Sequence, residues 1–314
     1  MSPMINYSIV IPVYGTDRSL TELSERIENV FENLGETYEI IFVDDDSPNP
    51  KTWKTLKTIS QSTTQVKAIK LARNFGKPGA ILCGFVKSSG RYIITMDDDL
   101  QHLPEDIPNL IKQEEHDVVV GRFSNKNHSF FKRFTSRLKS WFDYKLTKRP
   151  KNIVMGPFKL IKRRIVSNML NIKTPHPFIS SHILYFTRDI VNVDVKHASR
   201  PYEDSLFSPN RRLKQFSNLL INQSSFLLNL TAILGVLMSF SSFVGVLFLL
   251  WNKLVLEKST VSGWTSTMIV LLLSSGLILF SVGIIGQYLI RIIHLAEIRP
   301  PFAISEESEY NKNL

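Results

Sequence analysis

Over the first 120 residues, short apolar runs alternate with stretches whose apolar positions recur every three to four residues. Runs of the first kind cover residues 5–13, 38–43, 66–71, 92–96 and 117–120, and each reads as a strand. Between them, residues 19–34 put Leu20, Leu23, Ile27, Val30, Phe31 and Leu34 on one helical face. Residues 50–60 read as a second helix, an apolar third runs to about 87, and Pro104 opens a fourth over 105–112. Strands alternating with helices at this spacing predict an α/β domain built on a doubly wound, mostly parallel sheet.

The strand ends carry the chemistry. The first closes in Pro12 and the Tyr14-Gly15 turn, and the second in Asp44-Asp45-Asp46-Ser47-Pro48. The third runs into Arg73-Asn74-Phe75-Gly76-Lys77-Pro78-Gly79, and the fourth into Asp97-Asp98-Asp99-Leu100-Gln101. All four loops lie at strand carboxyl ends, the edge where open α/β sheets take their ligands, so they should meet in space. Three adjacent carboxylates repel one another unless something positive sits among them. Asp97 and Asp99 can converge on one point, and Asp-x-Asp suits a hard divalent cation that completes its shell with phosphate oxygens and water. A solvated acidic turn capping the next helix is the other reading of a bare Asp triplet.

Beyond residue 121 the pattern changes twice. From Arg122 to Lys173 there are fifteen Lys or Arg against one acid, Asp143. Phe130, Phe131, Phe134, Leu138, Trp141, Phe142 and Leu146 recur among those charges at helical spacing. A basic helix over about 128–148 with such a face fits a core helix with a solvated side, a helix lying in a lipid interface, or a stack for single-stranded nucleic acid. Residues 227–251 and 264–290 then contain no charge at all. Each exceeds the roughly 20 residues needed to cross the hydrocarbon core, so two transmembrane helices are expected. Because the basic segment is followed by membrane spans rather than another nucleic-acid module, the membrane is the expected partner and nucleic acid is not.

Composition sharpens this. The formal charge of +10 calls for a polyanionic partner: nucleic acid, anionic lipid or a phosphorylated substrate. A mean hydropathy of −0.01 in a chain with 21% charged residues reflects the two apolar runs. The single cysteine, Cys83, excludes an intramolecular disulfide and fits a reducing compartment. Residues 9–11 are too short for a signal-peptide core. Arg211, Arg212 and Lys214 precede the first span and Arg291 and Arg299 follow the second, against Lys253, Lys258 and Glu257 between them, which points both chain ends to the cytoplasm. The expected division is a catalytic domain over 1–200, an amphipathic juxtamembrane segment over 201–226, spans at 227–251 and 264–290 around a loop at 252–263, and a cytoplasmic tail over 291–314 that is polar and disordered from Ser305.

Taken in order, Ile9-Val10-Ile11-Pro12-Val13-Tyr14, Val43-Asp44-Asp45-Asp46-Ser47, Arg73-Asn74-Phe75-Gly76 and Asp97-Asp98-Asp99-Leu100-Gln101 resemble the family-2 glycosyltransferases with a GT-A fold. With the two carboxy-terminal spans, the chain is similar to the polyprenyl-phosphate sugar transferases among them: bactoprenol glucosyltransferases, their aminoarabinose relatives and dolichol-phosphate mannose synthases. The resemblance implies inverting transfer of a sugar from a nucleotide-sugar, expected to be UDP-linked, to a polyprenyl phosphate such as undecaprenyl phosphate, for cell-envelope glycans. It implies a multi-pass plasma-membrane protein with its catalytic domain and both termini cytoplasmic, resting against anionic lipid; a homo-oligomer stays open.

Carried over residue by residue, the resemblance implies that Pro12, Tyr14, Asp45, Arg73, Lys77 and Asp98 line the nucleotide-sugar site. Asp97 and Asp99 would be the catalytic metal ligands for Mg²⁺ or Mn²⁺, and Arg122, Lys159, Arg200, Ser205, Arg211 and Arg212 would face the acceptor phosphate. Three places depart from the family pattern. Asp46 replaces a turn glycine, Gly156-Pro157-Phe158-Lys159 lacks a carboxylate at Pro157, and Arg200-Pro201-Tyr202-Glu203-Asp204-Ser205-Leu206-Phe207 keeps Arg200 and Ser205 but loses a Gly and a Lys at Glu203 and Leu206. The alternatives are transfer to another lipid such as diacylglycerol, or a non-catalytic relative that binds nucleotide-sugar or lipid.

Overall fold

The computed structural model describes residues 5–123, 153–172, 174, 177–196, 198, 263–296 and 300–310, with isolated positions at Leu237, Phe240 and Val244; within 263–296 side chains are described only in part. The chain divides into two compact units, Met1–Leu206 with Ile298–Leu314, and Phe207–Glu297.

The first unit is an α/β domain. Its strands are β1 (Tyr7–Val13), β2 (Tyr38–Asp44), β3 (Val66–Leu71), β4 (Tyr92–Thr95), β5 (Val118–Phe123), β6 (Lys159–Lys162), β7 (Ile190–Val195) and β8 (Ile304–Ser308). They form one eight-stranded sheet in the order β7-β5-β6-β4-β1-β2-β3-β8. The centre, β4-β1-β2-β3, is wholly parallel. Every residue of β1 is buried, as a strand covered by helices on both faces must be. Each Ile, Val or Phe so buried stabilises the fold by roughly 1.5–3 kcal/mol relative to exposure.

The helices are α1 (Leu20–Leu34), α2 (Pro50–Ser62), α3 (Lys77–Lys87), α4 (Ile107–Ile111), α5 (Arg163–Leu170) and α6 (Ile179–Phe186). Helix α1 buries Leu20, Leu23, Ile27, Val30 and Phe31, the stripe its spacing announces, and ends where Gly35 turns left-handed at φ 65°. Asn49 caps α2 by accepting from the Lys51 N–H at 3.0 Å, with Pro50 in the first turn. The fourth predicted helix, 105–112, is shorter: a 3₁₀ turn over Pro104–Asp106 leads into α4.

Three strands go beyond the sequence pattern, and two of them, β6 and β8, run against the rest of the sheet. Strand β6 inserts antiparallel between β4 and β5. Strand β7 runs parallel to β5 at one edge, and β8 lies antiparallel to β3 at the other. The last is a correction. The polar, disordered tail expected from Ser305 is the edge strand of the catalytic sheet, where Ser308 is buried against Ser60 at 2.9 Å and Glu307 pairs with Lys87 at 2.6 Å.

In the second unit, α7 (Trp264–Ala296) is a 33-residue helix. Among the described residues no helix is long and apolar enough to cross a membrane. The expected basic helix at 128–148, the segment 201–226 and most of the span 227–251 lie outside the described residues.

Candidate active site

The four loops at the carboxyl edge of the sheet are joined in a ring. The Asp45 N–H, after β2, donates to the Val13 carbonyl at the end of β1 at 3.0 Å. The Gly15 N–H donates to Ser47 Oγ at 2.9 Å, and the Tyr14 N–H to Asp98 Oδ2 at 3.3 Å. The Phe75 N–H, after β3, donates to Asp45 Oδ1 at 2.7 Å. Lys77, the first residue of α3, closes the ring with an ion pair to Asp97 Oδ1. Motifs spread over ninety residues thus meet because parallel strands all end on one edge.

Two residues hold unusual backbone there. Asp46 has φ 54°, the left-handed geometry for which a turn glycine is suited, and aspartate tolerates it better than most residues. Leu100 has φ 57°, although it is large and 1% exposed. Its burial offsets a strain of order 1–3 kcal/mol and turns the chain so that the Gln101 N–H donates to Asp99 Oδ1 at 3.2 Å.

Ligand atoms of Asp97, Asp99 and His102 lie within 4.8 Å of one another, a set that could hold a metal ion. His102 is buried and its ring stacks on Phe123 at 5.0 Å, which fixes its plane beside the two acids. Burial, then the neighbouring Asp97, pushes the Asp98 carboxyl up to about 7. Asp45 is raised to about 6 by burial, against the hydrogen bonds from Phe75 and Gly76. Lys159, buried on β6 opposite Thr95, is lowered to about 8 by burial and then by Lys77, with Asp97 opposing. A site that crowds three aspartates and two lysines in this way is poised for a charged ligand carrying a cation and phosphates.

Residues 8–170 match the profile described as Glycosyl transferase family 2. The chain belongs to that family. It is a glycosyltransferase, 31% identical over 98% of its length to an uncharacterized glycosyltransferase of Bacillus subtilis, of which it covers 95%. It is also 31% identical to the undecaprenyl-phosphate 4-deoxy-4-formamido-L-arabinose transferase of Photorhabdus laumondii, over 97% of this chain and 95% of that protein. The protein of that name from Pseudomonas paraeruginosa is 32% identical, over 96% and 90%. Among solved structures, glucosyl-3-phosphoglycerate synthase from Mycobacterium tuberculosis, in complex with Mn²⁺, UDP-glucose and phosphoglyceric acid, superposes with a TM-score of 0.51 at 16% identity, over 70% of this chain and 79% of that one. That likeness shows the shared GT-A type of sheet.

Within this family-2 domain, the ring gathers Tyr14, Asp45, Lys77, Asp97 and Asp98, while Pro12 is buried in β1 beside Val43. Arg73 is exposed and its guanidinium lies 4.7 Å over the Phe75 ring. Lys159, expected to face the acceptor phosphate, is buried within electrostatic reach of Asp97 and Lys77. Arg122, on β5, donates its Nε to Asp194 Oδ1 on β7 at 2.9 Å. Pro157, in place of a family carboxylate, offers only its carbonyl, which accepts from Thr95 Oγ1 at 2.7 Å. Arg200, Ser205, Arg211 and Arg212 lie outside the described residues. His102 is the residue that the sequence pattern passed over. Its signal is the spacing three residues after Asp99, which becomes meaningful only once the left-handed Leu100 folds the turn back.

Proposed function

We propose that this chain transfers a sugar from a nucleotide-sugar to a polyprenyl phosphate at the cytoplasmic face of the plasma membrane, for building or modifying cell-envelope glycans. The observation that carries the reading is the meeting of Asp97, Asp99 and His102 with Lys77 and Lys159 at the edge where Asp45 fixes the donor loop. Relatives matched over nearly the whole chain are named for undecaprenyl phosphate, which supports that acceptor class here.

An oxygen of the acceptor phosphate attacks the anomeric carbon from the face opposite the diphosphate. The bond from that carbon to the diphosphate breaks, and its electron pair leaves with the nucleoside diphosphate. A phosphate monoester has a second pKa of about 6, so the attacking oxygen is already largely ionised at neutral pH. No side chain need take its proton, which suits a site with Pro157 where a carboxylate base would stand. A divalent cation held by Asp97 and Asp99 would neutralise charge gathering on the leaving group. The donor set fits Mg²⁺ or Mn²⁺, and an imidazole from His102 inclines it to Mn²⁺, because Mg²⁺ prefers oxygen ligands. Lys159 and Lys77 add positive charge at the same place, and Arg122, Arg200, Ser205, Arg211 and Arg212 are proposed to receive the lipid phosphate.

Two features support membrane anchoring. Helix α7 leaves Val270, Leu271, Ile278, Phe280, Ile285 and Leu289 more than half exposed, a face that favours lipid over water. The chain also enters its catalytic sheet again at Ile304 after that helix. A chain whose last strand belongs to its first domain must cross a bilayer an even number of times, so a span at 264–290 requires its partner at 227–251.

The test is transfer of labelled sugar from a panel of nucleotide-sugars to undecaprenyl phosphate by the purified protein, with and without chelator. Metal-dependent product on the lipid phosphate is expected. Product on diacylglycerol would redirect the acceptor, and donor binding without turnover on any lipid would make the chain a binding protein.

A further inference from the structure

Lys77 stands where a substrate cation would compete with it. Its ammonium pairs with Asp97 Oδ1, one of the three groups whose ligand atoms converge within 4.8 Å. The pair is not part of the packed core, since the Lys77 side chain is 47% exposed while Asp97 is 21% exposed. Behind Asp97, Lys159 is buried and its own charge is disfavoured partly by Lys77. The acidic turn thus already has one exposed lysine paired with it and one buried lysine nearby. A divalent ion on Asp97 competes with the lysine for the same carboxylate charge, and its two charges repel the ammonium.

We propose that Lys77 is an exchangeable counter-ion. In the unloaded site it neutralises Asp97; on loading it yields that carboxylate to the metal and swings its four-carbon stem onto the diphosphate that arrives with the cation. This rests on the reading of Asp97 and Asp99 as cation ligands and adds a consequence to it. Metal alone binds weakly, because it displaces the lysine from its ion pair and brings no new anion for it. Diphosphate supplies that anion, so each ligand raises the affinity for the other by the same factor. Lysine suits the exchange because it is a compact point charge on a flexible stem, and a good phosphate binder. The cell then loses nothing to idle occupation of the site by metal, which is taken up with the donor.

The experiment uses the full-length protein in detergent, with Mn²⁺ alone and inorganic pyrophosphate as probes, so that neither sugar nor lipid identity matters. Binding is measured by calorimetry for the wild type, K77M and K77R. In K77M, Mn²⁺ alone should bind roughly tenfold tighter, pyrophosphate at saturating Mn²⁺ roughly tenfold weaker, and the mutual enhancement should shrink accordingly, within the 5–150-fold span usual for coupled sites. K77R, which keeps the charge, should stay near the wild type for Mn²⁺ alone. Opposite signs for the two ligands are what a merely structural lysine would not produce. If the wild type binds Mn²⁺ and K77M binds it equally or more weakly, the exchange is overturned while the metal site stands. If the wild type binds no Mn²⁺ with or without pyrophosphate, the metal reading falls and the exchange with it.

Discussion

The indole Nε1 of Trp53 donates to Glu306 Oε2 at 2.7 Å, across 253 residues of sequence. That bond pins the last strand to the second helix, and Lys57 pairs with the same carboxylate. Nearer the active site, the Ala72 N–H donates to the Ala303 carbonyl at 2.8 Å, one residue before the loop that begins at Arg73. Phe302 and Ile304 pack on the same core cluster as Phe75. The carboxy-terminal segment is therefore a brace for the loop whose backbone Asp45 holds from the other side.

The brace has a tight point at Gly79. A methyl group there would stand 2.8 Å from the Pro301 carbonyl oxygen and 2.9 Å from Phe75 Cβ. Gly79→Ala should destabilise the domain by about 1–3 kcal/mol through overpacking. It should also raise the Michaelis constant for the nucleotide-sugar several-fold with little change in turnover at saturation, because the wedge parts Phe75 from Pro301. A melting curve and donor titration check both; a lower melting temperature with an unchanged Michaelis constant would separate the brace from the donor loop.

The parallel half of the sheet was legible because each of its strands is a short, mostly apolar run that ends in a recognisable loop, even β3 with its two lysines. Leu20 to Leu34 was equally plain, since one stripe of six residues admits only a helix. Strand β6, in contrast, is Lys-Leu-Ile-Lys inside a basic stretch, and β8 is Ile-Ser-Glu-Glu-Ser. Neither carries its own hydrophobic signal; each becomes a strand because a neighbouring edge offers unpaired backbone groups. The site follows the same division. Asp97 and Asp99 announce themselves by adjacency, whereas the Lys77–Asp97 pair and the approach of His102 depend on how loops twenty residues apart, and one left-handed leucine, turn.

Asp45 predicts a pH dependence. Its pKa near 6 exceeds the ordinary value, so the native state binds the extra proton. Its contribution to stability is accordingly greatest below the unfolded value near 4 and is lost as pH rises through 6. Donor binding should move the opposite way, because a protonated Asp45 is a poorer acceptor for the Phe75 and Gly76 N–H groups. Nucleotide affinity should fall as pH drops below 6, and Asp45→Asn should bind more weakly throughout with that Asp45-linked step removed. Comparing the two calorimetric pH profiles cancels the titration of the nucleotide's own phosphate. Superimposable slopes in the two proteins would count against Asp45 as the group.

The cation set predicts graded losses. Asp99→Ala should abolish transfer while leaving the melting temperature close to the wild type, since Asp99 is half-buried and sits in a turn. His102→Asn should weaken Mn²⁺ at least tenfold, the lower end of what even outer-shell changes cost at metal sites, and should weaken Mg²⁺ less. An equal loss for both ions would make His102 a packing residue against Phe123 and Phe158 rather than a ligand. Full activity of Asp99→Ala in excess chelator would end the metal reading altogether.

The return of the chain to the sheet at β8 predicts the topology of the segments between. With the catalytic sheet in the cytoplasm, Ile304–Ser308 is cytoplasmic too, and residues 252–263 must lie on the other side if 227–251 and 264–290 both span. Cys83 is 0% exposed, so it makes a silent background for cysteine labelling rather than a reporter of sidedness. Two reporters are needed: Ser259→Cys in the loop, and Tyr310→Cys just past β8, where the native side chain is 42% exposed. In intact cells an impermeant thiol reagent should label Ser259→Cys and spare Tyr310→Cys; after permeabilisation it should label both. Labelling of Tyr310→Cys in intact cells would put the sheet outside and remove the cytoplasmic donor. Protection of both until permeabilisation would leave 227–251 and 264–290 on the cytoplasmic side as an in-plane hairpin, and the acceptor phosphate would then be met at the headgroups without any crossing.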